Sequence, residues 1–121
     1  MRSPGGGHAC IRCGSRLPAP LLALLRHADE SWGYVTAWNP AGVRLPAAVN
    51  RERQRRLRDE LNSVGHRYRV GVGVGADGWR ETSLFVPGIA FAELDDLARR
   101  FGQLGVVRGT GSGLAELHEL V

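Results

Sequence analysis

Two stretches of helical periodicity, each set between runs of β-type residues, constrain this chain more than any other feature. PAAVNRERQRRLRDELNSVG, from Pro46 to Gly65, opens on a proline suited to a helix start and closes on a glycine. Val49, Leu57, Leu61 and Val64 form its apolar stripe; the arginines lie mostly opposite, and Asn50 and Gln54 sit on the edge of the stripe. AFAELDDLARRFG repeats the pattern with Phe91, Leu94, Leu97, Ala98 and Phe101 inward. GYVTAW (Gly33 to Trp38), β-branched and aromatic and stopped by Asn-Pro, precedes the first helix. HRYRVGVGV and WRETSLFV lie between the two, and GVVRG follows the second. The order β-α-β-β-α-β predicts an α+β domain of ferredoxin-like, split-βαβ type, an antiparallel sheet with both helices on one face. Pro20 to Ala28 reads as an additional short helix with Leu21, Leu22, Leu25 and Ala28 on one stripe. The tail LAELHELV suits a helix or an alternating strand after the GTGSG turn, and an extra C-terminal strand is the expectation carried forward.

At 121 residues the chain is long enough to bury a core without disulfide staples. Residues 20–121 are expected to form a single domain behind a flexible leader at 1–19, since MRSPGGGHACIRCGSRLP is rich in Gly, Pro and Arg and shows no apolar periodicity. LPAPLLALL is about half the length of a membrane span, and no small-x-small cleavage site follows it, so no membrane association and a cytoplasmic location are expected. Cys10 and Cys13 form one C-x-x-C after His8, but no second ligand pair exists and His27, His66 and His118 are scattered. Neither a metal nor any other cofactor is therefore expected. All sixteen basic residues are arginine, giving a net charge of +4. That charge keeps anionic partners open, because guanidinium binds phosphate and carboxylate in a bidentate way.

GVGVGADGW contains Gly73, Gly75 and Gly78 in the spacing G-x-G-x-x-G. A dinucleotide fingerprint needs a helix to open directly after the glycines, and here WRETSLFV follows, a strand pattern. The stretch is expected to be a strand with valines on one face, a bare glycine face on the other, and a hairpin turn at ADG.

Alternation places Val35, Ala37, Leu84 and Val86 under the helices and Tyr34, Thr36, Trp38, Trp79, Glu81, Ser83 and Phe85 on the opposite face. Such an aromatic face must be covered, by the Leu-rich N-terminal helix or a second subunit, or used in binding. One function class is base stacking on that face, with arginines supplying the phosphate contacts. The other is a small polar ligand at one end of the sheet, where Asn39, Asn50, Gln54, Glu81, Ser83 and Gln103 converge. Glu81 would act there as acceptor or base and is the only candidate catalytic base. Asn39, Asn50 and Gln103 would orient the ligand, Ser83 would donate, Trp79 or Trp38 would form an apolar wall, and Arg51 or Arg80 would supply charge. A lone Glu without a partner acid, metal set or nucleophile makes a poor enzyme, so enzymatic activity is left open.

The set TAWNP, Asn50, W-x-E-x-S and FGQ resembles a family of small bacterial proteins, the domain of unknown function numbered 3293. The matching positions are Thr36, Ala37, Asn39, Pro40, Asn50, Trp79, Glu81, Ser83, Phe101, Gly102 and Gln103, spanning about Tyr34 to Val107. The resemblance brings no activity with it. It implies that the polar residues belong together, which favours a pocket for a small polar or anionic ligand over an open nucleic-acid platform. A purely structural domain or a homodimer is the third reading.

Overall fold

The computed structural model describes residues 9–74 and 80–120. Five strands, β1 (Ser31–Val35), β2 (Arg69–Val74), β3 (Arg80–Pro87), β4 (Gly105–Thr110) and β5 (Glu116–Glu119), form one open sheet in the order β2-β3-β1-β4-β5. Every neighbouring pair is antiparallel. A 17-residue helix, α2 (Ala47–Ser63), links β1 to β2, and α3 (Phe91–Arg100) links β3 to β4. A single helical turn, α1 (Ala19–Leu22), precedes the sheet. The fold is therefore α+β, with the expected chain order and with the tail as a strand.

The register follows from the alternation in the sequence. Val35 lies opposite Leu84, and Gly33 opposite Val86, so Val35, Leu84 and Val86 share one face. That face packs with Ala37, Val106 and Ile89 against Leu57 and Leu61 of α2 and Leu94, Leu97 and Ala98 of α3. Gly33 matters to this layer, because a Cβ there would come within 2.5 Å of Leu94 Cδ2. The missing side chain lets α3 settle directly on the central strand. In β2, Val70 pairs with Leu84, Gly71 with Ser83 and Val72 with Thr82, so Val70 and Val72 take the helix side and Gly71 the other. The ADG turn lies outside the described residues.

The second face carries its own core: Trp32 and Phe85, ring centroids 5.6 Å apart, with Leu17, Leu21, Ala9 and Ala115. Of the coverings considered for the aromatic face, the N-terminal segment is the one found. It extends further back than expected, since the stretch read as a leader at 1–19 packs on the sheet from Ala9 onward. Backbone bonds fix it there: Gly14 N–H donates to Ala115 O at 2.7 Å and Ala115 N–H to Ser15 O at 2.8 Å. An isolated bridge joins Arg16 to Leu114.

Two details of the helices differ from expectation. The helix expected over Pro20 to Ala28 is one turn long, and Leu24 and Leu25 continue it with tighter bonds to Leu21 O and Leu22 O. Leu21 is buried, whereas Leu22 and Ala28 are exposed. Docking of Leu21, Leu24 and Leu25 on Trp32 and Phe85 decides the local path here, and propensity yields to it. In α2 the buried stripe is Asn50, Gln54, Leu57 and Leu61, while Val49 and Val64 face solvent. Spacings of four, three and four residues place those four side chains one above another, so the two amides sit in the middle of the buried face and not on its edge.

Candidate functional site: the polar end of the sheet

Where β1 ends, the chain must leave the sheet, cross the start of α2 and return to it. The backbone groups of Thr36 to Leu45 have no strand partners, so side chains must bond them. Gln54 supplies the first link: its Oε1 accepts from Ala37 N–H at 2.9 Å, and its Nε2 donates to Thr82 O at 3.0 Å. Thr36 Oγ1 donates to the same Thr82 carbonyl at 2.6 Å and accepts from Trp38 N–H at 3.1 Å. One turn earlier on α2, Asn50 and Asn39 exchange bonds. Asn50 Oδ1 accepts from Asn39 N–H at 2.9 Å, and Asn50 Nδ2 donates to Asn39 Oδ1 at 2.7 Å. Asn39 Oδ1 also accepts from Leu45 N–H at 2.9 Å, and Asn50 Nδ2 donates to Leu45 O at 3.2 Å.

Arg53 completes the set. Its Nε donates to Ala37 O at 2.8 Å, and its Nη2 to Phe101 O, with the guanidinium 6.0 Å from the Phe101 ring centroid. Gln103 Nε2 donates to Trp38 O at 3.1 Å, and Ala41 N–H to Gly102 O at 2.7 Å, tying the loop to the end of α3. Gly102 has φ +73°, and a Cβ there would come within 2.8 Å of Pro40 Cβ.

These bonds hold a backbone that does not adopt its conformation freely. Asn39 lies in the left-handed region at φ 45° and ψ 64°, and Ala41 follows at φ 55° and ψ 25° within the 3-10 turn Pro40–Gly42. Asparagine visits that region readily, but an alanine there costs about 1–2 kcal/mol. Asn39 Nδ2 then donates to Glu81 Oε1 at 3.2 Å, which fixes the carboxylate at the rim of the cluster. The indole Nε1 of Trp38 is buried and has no acceptor among the described residues.

Of the residues expected in the site, Asn39, Asn50, Glu81 and Gln103 come together around this loop, and Gln54 with them. Ser83 does not. It is buried on the same face of the sheet as Tyr34 and Phe85, where its hydroxyl meets that of Tyr34 and lies 3.4 Å from Glu81 O. Burial raises the Tyr34 phenol above its ordinary value, and the bond to Ser83 offsets part of that shift. Trp79 lies outside the described residues. Arg51 and Arg80, expected to supply charge, are exposed and make no bond in the cluster, whereas Arg53, which sequence reasoning missed, is central to it. Its position three residues after Asn50 on the same helical face was the signal that could have found it.

Most of the cluster's hydrogen-bonding capacity goes to backbone groups of the loop, and Glu81 is held by Asn39. Asn39 is Glu81's side-chain partner, and no hydroxyl, thiol or imidazole among the described residues is bonded to that carboxylate. Among the described residues no group of three or more His, Cys, Asp or Glu converges on a metal position, and Cys10 and Cys13 are free thiols at the surface. No helix among them is long and apolar enough to cross a membrane.

Comparison with curated proteins and with solved structures gives no match. A family described as protein of unknown function, DUF3293, matches residues 35–106. The match opens on the last residue of β1 and closes just inside β4, so it includes every side chain of the polar cluster and leaves out the N-terminal arm and β5. It covers more than half of the sequence, and the chain belongs to the DUF3293 family.

Proposed function

We propose that this chain is a binding domain on a ferredoxin-like core, which holds a small polar molecule at the end of the sheet where Trp38, Asn39 and Glu81 meet. The strand order, with each long helix joining strands two places apart, is what supports the ferredoxin-like reading. The left-handed loop at Asn39 and Ala41 carries the functional one. Backbone held in sparsely populated regions and fixed from several sides is a feature of ligand clamps, and this loop is fixed by Asn50, Arg53 and Gln103. The rim then offers an oriented carboxylate, suited to a neutral or cationic ligand with donors. Binding is favoured over catalysis because, among the described residues, no acid or nucleophile is bonded to Glu81. Base stacking gains no support, since Phe85 is wholly buried and Tyr34 half-buried beneath the arm.

A thermal-melting screen with amino acids, nucleosides, sugars and divalent cations, run beside Glu81→Gln, tests this reading. A ligand at about 100 times its Kd adds roughly 2.7 kcal/mol, which raises the midpoint of a domain this size by on the order of 10 °C. The expected result is a shift that disappears in Glu81→Gln. A shift that survives the substitution, or midpoints that respond to protein concentration and to no ligand, overturns it.

A further inference from the structure

At the far end of α2 the chain builds a concavity that shares no residue with the polar cluster. From Asn50 to Asn62 is about 18 Å along the helix. Gly65, at φ +81°, closes α2 with a paired cap: its N–H donates to Asn62 O at 3.1 Å, and His66 N–H donates to Leu61 O at 2.9 Å. The chain then turns sharply into β2, and the groove beside the turn is lined by Asn62, His66, Arg67, Arg69, Leu24 and Pro87 around about 440 Å³. A smaller hollow of about 140 Å³ adjoins it across His66, Arg67 and Pro87 and adds Arg26.

The charges here are unbalanced. His66 Nε2 is engaged by Glu93 Oε1 at 2.9 Å, and the Glu30 carboxylate accepts from Arg26 N–H at 2.6 Å. The guanidinium groups of Arg67 and Arg69 make no ion pair among the described residues, although arginines elsewhere, such as Arg55, Arg100 and Arg108, are paired. The last carbonyls of α2 do not need them either, since the glycine cap engages Leu61 O and Asn62 O. The larger hollow lies within the range of small-molecule sites, roughly 300–1,000 Å³. Its walls combine two free guanidiniums with the apolar surfaces of Leu24, Tyr68 and Pro87.

We propose that this groove binds a small organic oxyanion, a phosphate ester or a carboxylate. Arg67 and Arg69 grip the anionic group in bidentate fashion, and an apolar or planar body rests on Leu24 and Pro87. Leu24 belongs to the N-terminal arm, outside the segment matched by the family, so the arm is part of the site.

Isothermal titration of the full chain with a nucleoside monophosphate, an aryl carboxylate, the uncharged nucleoside and a short oligonucleotide tests the proposal. The expected result is saturable one-to-one binding of at least one anion and none of the uncharged nucleoside. Arg67→Gln and Arg69→Gln should each weaken it roughly tenfold or more, the scale of a lost bond to a charged group. Whichever anion saturates at lower concentration identifies the source of the oxyanion. Glu81→Gln should leave this binding unchanged, which separates it from the polar end of the sheet. Both arginines are exposed, so the variants are expected to melt like the parent chain. Absence of saturable binding of either anion, binding indifferent to Arg67→Gln and Arg69→Gln, or binding of the oligonucleotide alone overturns the proposal.

Discussion

Tyr34 shows how one side chain couples the two layers of this molecule to pH. Its ring lies half under the arm and its hydroxyl meets Ser83, and burial holds its ionisation above the ordinary value near 10. A group whose folded value is raised lends stability that is complete below the unfolded value and is lost as pH rises through the folded one. Stability should therefore fall above pH ~10, as the unfolded chain ionises Tyr34 first. Tyr34→Phe should flatten that part of the decline while leaving urea unfolding at neutral pH within about 1–2 kcal/mol, the scale of one hydrogen bond. Urea midpoints measured across the alkaline range, alongside tyrosinate absorbance, check it. An unchanged alkaline slope in the variant would show that the loss does not come from Tyr34.

At the scale of elements, α2 does two jobs with one stripe. Its C-terminal half buries Leu57 and Leu61 against the sheet, and its N-terminal half buries Asn50 and Gln54 against a loop. The length and ends of α2 were legible in the sequence, because Pro46 and Gly65 act locally. Its burial was less so, because hydrophobicity alone selected Val49 and Val64, which face water. Polar residues reach the middle of a buried face only when backbone groups there lack partners, and that need arises in the loop after β1. Asn50→Ala should expose it. The substitution leaves Asn39 N–H and Oδ1 short of a partner in a buried setting, at about 1–3 kcal/mol for each such group. Equilibrium urea unfolding should show a loss of about 2–4 kcal/mol, far beyond the few tenths expected of Val49→Ser on the exposed side. Comparable losses in the two variants would contradict the assigned stripe.

For the whole molecule, the two long helices cover one face of the sheet, and the N-terminal arm covers the other. Trp32 and Phe85 are fully buried only because Ala9, Leu17 and Leu21 lie on them. The Leu-rich stretch was among the covers the sequence suggested, but residues 9–16 gave little sign of this. Gly, Pro and Arg show no period there, and the segment is ordered by the surface it meets and by backbone pairing of its Gly14 and Ser15 with Ala115. The need for a cover, by contrast, was legible from the alternation of Tyr34 and Phe85 with core residues. Removal of residues 1–25 should expose the Trp32–Phe85 pair, shift tryptophan emission to the red, raise binding of a hydrophobic dye and promote self-association. Fluorescence and sedimentation of the truncated chain check this, and native-like emission from a stable monomer would mean that the sheet closes without its arm.

The pairing of Arg16 with Leu114 has a further meaning in time. During synthesis the arm leaves the ribosome nearly a hundred residues ahead of the strand turn it must meet. Contacts so distant along the chain close late, after the entropy of a long loop has been overcome. The apolar segment LPAPLLALL therefore stays exposed until β1 and β3 have brought Trp32 and Phe85 together, and the arm is fixed only once the turn at Leu114 is made.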